Sequence, residues 1–357
     1  MKFLITLYSN KERKYIQHIP VVVYILSFLL LYYASFCVSQ EDALDLGRYY
    51  NSLQDKTQTS SIEEIVNMRM FGTHKYDFLY HIILFVSIKL SIPLDLVTAS
   101  VVFLYFYAIC HIMFRICDRR IDYLVIIVTL ITTPLTWTVA ISRNLTSIMF
   151  LTIAFLCLLK KKKLICLIFL VASIVTHFGS VLYLLIFITS IFLAKRRINP
   201  VLIFLLLSFA FIASFAIPST LRDIMVMFLN EESGYTHYFL DSGRFIFTSY
   251  SIRYGDILPI VFSLFYSSYL LFLNKKQGYA FWLLLLSTIL FAFFLNFGLM
   301  FVNRIMLIMP LLWGLNISLI YRNSSIQQIS FVKWISLIGI IPIVLHLYAY
   351  RETYFLF

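Results

Sequence analysis

The chain has 357 residues, of which 61% are hydrophobic and 13% charged, and it carries a net charge of +12. Soluble domains run to about 25% charged residues, so this composition, with a mean hydropathy of +0.89, excludes a soluble enzyme and describes a polytopic membrane protein. The excess Lys and Arg sit in short runs between apolar stretches, which is the positive-inside pattern rather than a nucleic-acid surface.

A membrane span needs about 20 apolar residues. The first, 18–39, follows the basic flank KERK. It is too long for a signal-peptide core and lacks a small-residue cleavage site, so it reads as a retained span with its basic end in the cytoplasm. A polar segment, 41–75, comes next. The stretch 76–92 is ambiguous. Its His81 and Lys89 suit a helix lying in the outer interface, a reading that keeps every basic cluster on one side. Further spans are expected at 94–114, 121–141, 144–160, 164–177, 178–194, 200–217, 254–273, 279–297, 299–320 and 331–350. The runs RICDRR (115–120), KKKK (160–163), KRR (195–197), NKK (274–276) and YRN (321–323) then all face the cytoplasm.

The expected fold is an all-α polytopic bundle forming one membrane domain over 1–357. It has about 11 transmembrane helices, 12 being the alternative, and long outer-face loops at approximately 40–75 and 218–253. The cytoplasmic loops are a few residues each, and no Walker or Rossmann glycine pattern occurs, so function is expected on the outer face. The five cysteines, Cys37, Cys110, Cys117, Cys157 and Cys166, are irregularly spaced and mostly sit in apolar runs, as small core residues do. No metal-ligand cluster stands out, so neither a metal nor another cofactor is expected. No matched pair of Gly/Pro-broken helices recurs, which weakens a transporter reading.

Several polar residues converge on the outer level of this topology. Arg143 falls in the hairpin between 121–141 and 144–160, and His177 at the turn within 164–194. Arg304, in FVNRIML, falls about one turn inside its span, where charge marks function or an ion pair. Asp45 and Tyr49 of DLGRYY are in the first outer loop; Arg244, Arg253 and Tyr254 are in the second or at its end. Each has a plain structural reading too. Arg143 could anchor to headgroups, His177 could bond a carbonyl at a helix end, and Asp45 could be an ordinary loop carboxylate. Their agreement in depth is the signal. Guanidinium forks bind phosphate oxygens bidentately, and a lipid-linked pyrophosphate sits at that level. A nearby His or Asp can take a proton from an attacking hydroxyl. Aromatic residues of the second loop suit sugar rings, although they also suit the interfacial belt.

The motifs also carry a resemblance. DLGRYY resembles the D-x-x-x-Y element that follows the first span in the EpsG-like family of bacterial polysaccharide polymerases. SRNLTSIMF resembles that family's arginine-bearing helix start, THFGSVLYLL its histidine element, and NRIMLIMPLL its late arginine helix. Order and hydropathy agree along nearly the whole chain. The resemblance implies an O-antigen polymerase of the Wzy type, or a capsule or exopolysaccharide counterpart. Its partners are then the bilayer and donor and acceptor oligosaccharides linked to undecaprenyl pyrophosphate, with a chain-length regulator protein as a further candidate. It implies the bacterial inner membrane with the active site facing the periplasm. Arg143 and Arg304 would hold pyrophosphate, and Asp45 or His177 would act as base. Tyr49, Arg244, Arg253 and Tyr254 would hold sugars. An O-antigen ligase is the nearest rival enzyme and a lipid-linked oligosaccharide flippase the nearest rival transporter.

Overall fold

The computed structural model describes residues 21–37, 78–116, 142–177, 179–193, 279–294 and 308–323, with parts of 199–213 and a few isolated positions. Regular structure among the described residues is helical throughout. It comprises α1 (Val21–Cys37), α2 (Phe78–Lys89), α3 (Leu94–Ile116), α4 (Ser142–Leu159), α5 (Lys163–Thr176), α6 (Ser180–Leu193), α7 (Tyr279–Phe294) and α8 (Met309–Asn323). These overlap the apolar runs read from the sequence, with α3, α4, α5 and α8 running one to three residues past the expected bounds, because an apolar stretch in lipid must satisfy its backbone internally.

The bundle is built on α3. Tyr105, Phe106, Ile109, Ile112 and Met113 are fully buried in it, and α1, α4 and α8 pack around it. Gly314 lets α8 approach closely, since a Cβ there would lie 3.2 Å from Met113 Sδ and 3.3 Å from Ile109 Cγ2. The outward faces are apolar. Val22, Leu26 and Leu30 of α1 are exposed, as are Leu164, Ile168 and Val171 of α5 and Leu185 and Phe192 of α6. Stripes of this kind would aggregate in water and are satisfied by acyl chains. Among the described residues one helix, Asp95–Ile116, is by itself long and apolar enough to cross a membrane. Helix α2 has 12 residues, about 18 Å of rise against a hydrocarbon core of about 30 Å. His81, read from sequence as facing the interface, is buried instead. The reason is that α2 packs on both α3 and α5, which turns its His81 face into the bundle, while Lys89 stays exposed with its Nζ 5.5 Å from the Phe85 ring centre.

Contacts along the helices fix their directions. Arg115 Nε donates to Leu159 O at 3.0 Å, while Val97, Thr98 and Val101 of α3 share a small cavity with Leu145 and Thr146 of α4. Helices α3 and α4 are therefore parallel. Tyr24 meets Tyr107 and His111, and Phe28 meets Phe103, so α1 is antiparallel to α3. Leu311 meets Tyr105 and Gly314 meets Ile109 and Met113, so α8 runs parallel to α3. One end of the bundle thus collects the start of α1, Arg115, the Lys160–Lys163 run and the C-terminal end of α8. These are clusters that charge counting assigned to a single side.

The α4–α5 turn shows how a glycine-poor chain stops a helix. Lys162 N–H donates to Cys157 O at 2.9 Å and Lys161 N–H to Leu158 O at 2.9 Å, with Lys161 at φ 59°. Helix α2 ends alike, with Ile92 N–H to Ser87 O at 2.8 Å, Ser91 N–H to Ile88 O at 3.0 Å, and Ser91 at φ 53°. Both are Schellman caps with a residue other than glycine in the left-handed position. In α4 the Lys charges also suit the negative end of the helix dipole.

Candidate functional site

The opposite end of the α4–α5 hairpin holds Arg143 and His177. Arg143 stands in the first turn of α4 rather than in the preceding loop, and it is 9% exposed. Its Nε and Nη1 atoms are buried, so it does not snorkel to headgroups as an interfacial anchor would. The polar run Arg143, Asn144, Thr146 and Ser147 is all buried, because this first turn faces other helices and not lipid.

His177 is the C-cap of α5. Its backbone is extended (φ −157°, ψ 114°), and its N–H donates to Ser173 O at 3.2 Å. Its own carbonyl accepts from Ser180 N–H at 2.9 Å, which starts α6. The ring is 4% exposed and lies over Gly179, where a Cβ would come 2.6 Å from Nε2. Only glycine leaves room for the ring there. Thr176 and Ser180, beside it, are also buried.

The two residues share a level. From Leu159 to Arg143 is sixteen residues of α4, about 24 Å at a helical rise of 1.5 Å. From Lys163 to His177 is fourteen residues, about 21 Å. The match is set by a reciprocal hydrogen-bonded pair. Ser147 Oγ donates to Ser173 O at 2.9 Å and Ser173 Oγ to Ser147 O at 2.9 Å, with the two hydroxyls 3.1 Å apart. Arg143 is one turn beyond this pair on α4, and His177 is one turn beyond it on α5. A cavity of about 10 Å³, near the minimum for one water, lies one turn deeper, lined by Tyr80, Thr98 and Thr146 among others.

Asp45, Tyr49, Arg244, Arg253, Tyr254 and Arg304 lie outside the described residues. Arg304 stands seven residues before Leu311 in sequence. Among the described residues no group of three His, Cys, Asp or Glu side chains could hold a metal, and Cys110, Cys157 and Cys166 are free and buried. Sequence reasoning missed Ser147, Ser173 and Gly179. The available signal was a pair of serines one turn inside Arg143 and His177, on helices that are otherwise strongly apolar.

Chemically, the arrangement offers one guanidinium and one imidazole, both buried at the same end of the hairpin, where charge interactions are strengthened by the low dielectric. A family model described as the EpsG family matches residues 20–356. No curated protein and no solved structure matches the chain.

Proposed function

This chain belongs to the EpsG family of Wzy-like polymerases, and from that premise we propose that it joins oligosaccharide repeat units carried on undecaprenyl pyrophosphate. The reaction is a glycosyl transfer. An acceptor hydroxyl attacks the anomeric carbon of the donor chain, and a new glycosidic C–O bond forms. The bond from that carbon to the pyrophosphate breaks, the hydroxyl proton goes to a base, and the lipid pyrophosphate leaves as an anion. The observation that carries this reading is the burial of Arg143 and His177 together at the end of the bundle away from the lysines. An ionisable residue buried inside a membrane bundle is costly to keep and marks a functional site by default.

In this reading the basic end faces the cytoplasm by the positive-inside rule, so Arg143 and His177 lie toward the periplasm. Arg143 and Arg304 bind the pyrophosphate and stabilise the charge that grows on it as the bond breaks. Asp45 and His177 are the candidate bases. The His177 ring is buried, which favours Asp45 as base and gives His177 a hydrogen-bonding role beside the phosphates. Tyr49, Arg244, Arg253 and Tyr254 hold the sugars and set the linkage.

Deletion of the gene, followed by gel analysis of surface polysaccharide, tests the function. Loss of a polymerase leaves lipid A core carrying a single repeat unit, with no ladder. Loss of a ligase or flippase leaves core with no repeat unit at all, and that result would overturn the polymerase reading in favour of its rivals.

A further inference from the structure

We propose that Ser147 and Ser173 are positioning residues for the Arg143–His177 site, a role that rests on the site assigned above. Four observations converge on them. The hydroxyls are reciprocal donors to each other's backbone carbonyls, at 2.9 Å in both directions. Both serines are 1% exposed, so water does not compete for these bonds. The Ser173 carbonyl accepts from the Ser147 hydroxyl and from the His177 N–H at once, which ties α4 directly to the peptide unit that orients His177. On the other side, the helical pattern bonds Ser147 N–H to Arg143 O, so the pair also grips the turn that carries Arg143.

The physical reason for such a device is the surrounding surface. Away from these serines the facing sides of α4 and α5 are mostly apolar, as at Ala154, Cys157 and Cys166. Packing of that kind tolerates sliding, because dispersion contacts have no direction and small shifts exchange one for another. A reciprocal hydrogen-bonded pair admits one register only. A slip of one residue would carry Arg143 about 1.5 Å along the axis and about 100° around it relative to His177, and misplacement of about 1 Å is enough to cost about a hundredfold in rate. The serines touch neither substrate nor leaving group. They decide whether the guanidinium and the imidazole address the same phosphate.

The test uses the full-length protein in proteoliposomes, supplied with the lipid-linked repeat unit extracted from a polymerase-deletion strain. Ser147→Ala/Ser173→Ala removes both partners together, leaving no orphaned hydroxyl, so the thermal unfolding midpoint stays close to that of the parent. Polymer formation is expected to fall at least tenfold, with the larger loss in kcat and the smaller change in KM. Ser147→Cys/Ser173→Cys then replaces the hydrogen bonds with a covalent tie. Oxidation is expected to give the linked peptide by mass spectrometry and at least half of parental activity. Reduction of the same sample is expected to return it to the double-alanine level, while the parent responds to neither reagent. Parental activity in the double-alanine variant overturns the proposal. Failure of the cysteines to link does so as well, as does a linked pair whose activity ignores its redox state. Arg143→Ala is run alongside. If that variant polymerises normally, the site assignment itself has failed, a result distinct from any produced by the serine variants.

Discussion

The two ends of the α4–α5 hairpin carry cations of opposite character. At one end Lys160, Lys161, Lys162 and Lys163 are all exposed or nearly so, and Arg115 reaches the last carbonyl of α4. At the other end Arg143 is packed into the first turn of the same helix. The exposed charges cost little and act as an address, fixing which way the hairpin inserts. The buried charge is the costly one, since burial strips the guanidinium of its hydration. Among the described residues the hairpin leaves its lysines exposed at one end and buries Arg143 at the other, and under the proposed function the buried cation is the one that meets substrate.

Substitutions at the enclosed end should break polymerisation, and those at the exposed end should not. The largest effect is expected from Arg143→Ala, a loss of about 10²–10³-fold in polymer formation, as for removal of one preorganised charge-stabilising donor. Protein level in the membrane should be unchanged, and wild-type chain length on a polysaccharide gel would sink the clamp. The next contrast separates the two candidate bases. Asp45→Asn should reduce the rate by about 10²-fold or more, as loss of a general base does. His177→Gln, which keeps hydrogen-bonding capacity, should cost about tenfold, and the reverse order would return the base role to His177. Gly179→Ala is expected to lower activity about tenfold without removing any polar atom, because the added Cβ would sit 2.6 Å from His177 Nε2 and displace the ring. Activity equal to the parent would show that ring placement is irrelevant. The smallest effect belongs to the exposed end. Lys161→Gly relieves the left-handed strain at φ 59° and should stabilise the protein by about 0.5–1 kcal/mol. Polymerisation should stay within about twofold of the parent, as measured by a thermal shift and a gel on the same preparation.

Much of the described architecture was legible from residue order. The run KKKK forecast the turn between α4 and α5, and the helices stop within a few residues of it because four lysines cannot enter hydrocarbon. The predicted span 94–114 corresponds to α3, Leu94–Ile116, since Pro93 and the Arg115 cluster mark its two ends chemically. Arg143 and His177 were legible as polar interruptions of apolar runs. The burial of His81 was not, because α2 is apolar on all sides and its sequence does not say which face meets a neighbour.

What the sequence determined by itself was the environment and the polarity of the chain. Hydropathy made it a membrane protein, and the positions of lysine and arginine grouped the turns on one side, because both properties depend on composition over many residues and on no particular contact. The tertiary structure decided register and enclosure. That Arg143 and His177 stand at one level and that Ser147 and Ser173 hold them there depend on distances of about 3 Å between helices, and the close seat of the His177 ring against Gly179 depends on a similar distance within one turn. Hydropathy averages such distances away, and only packing sets them.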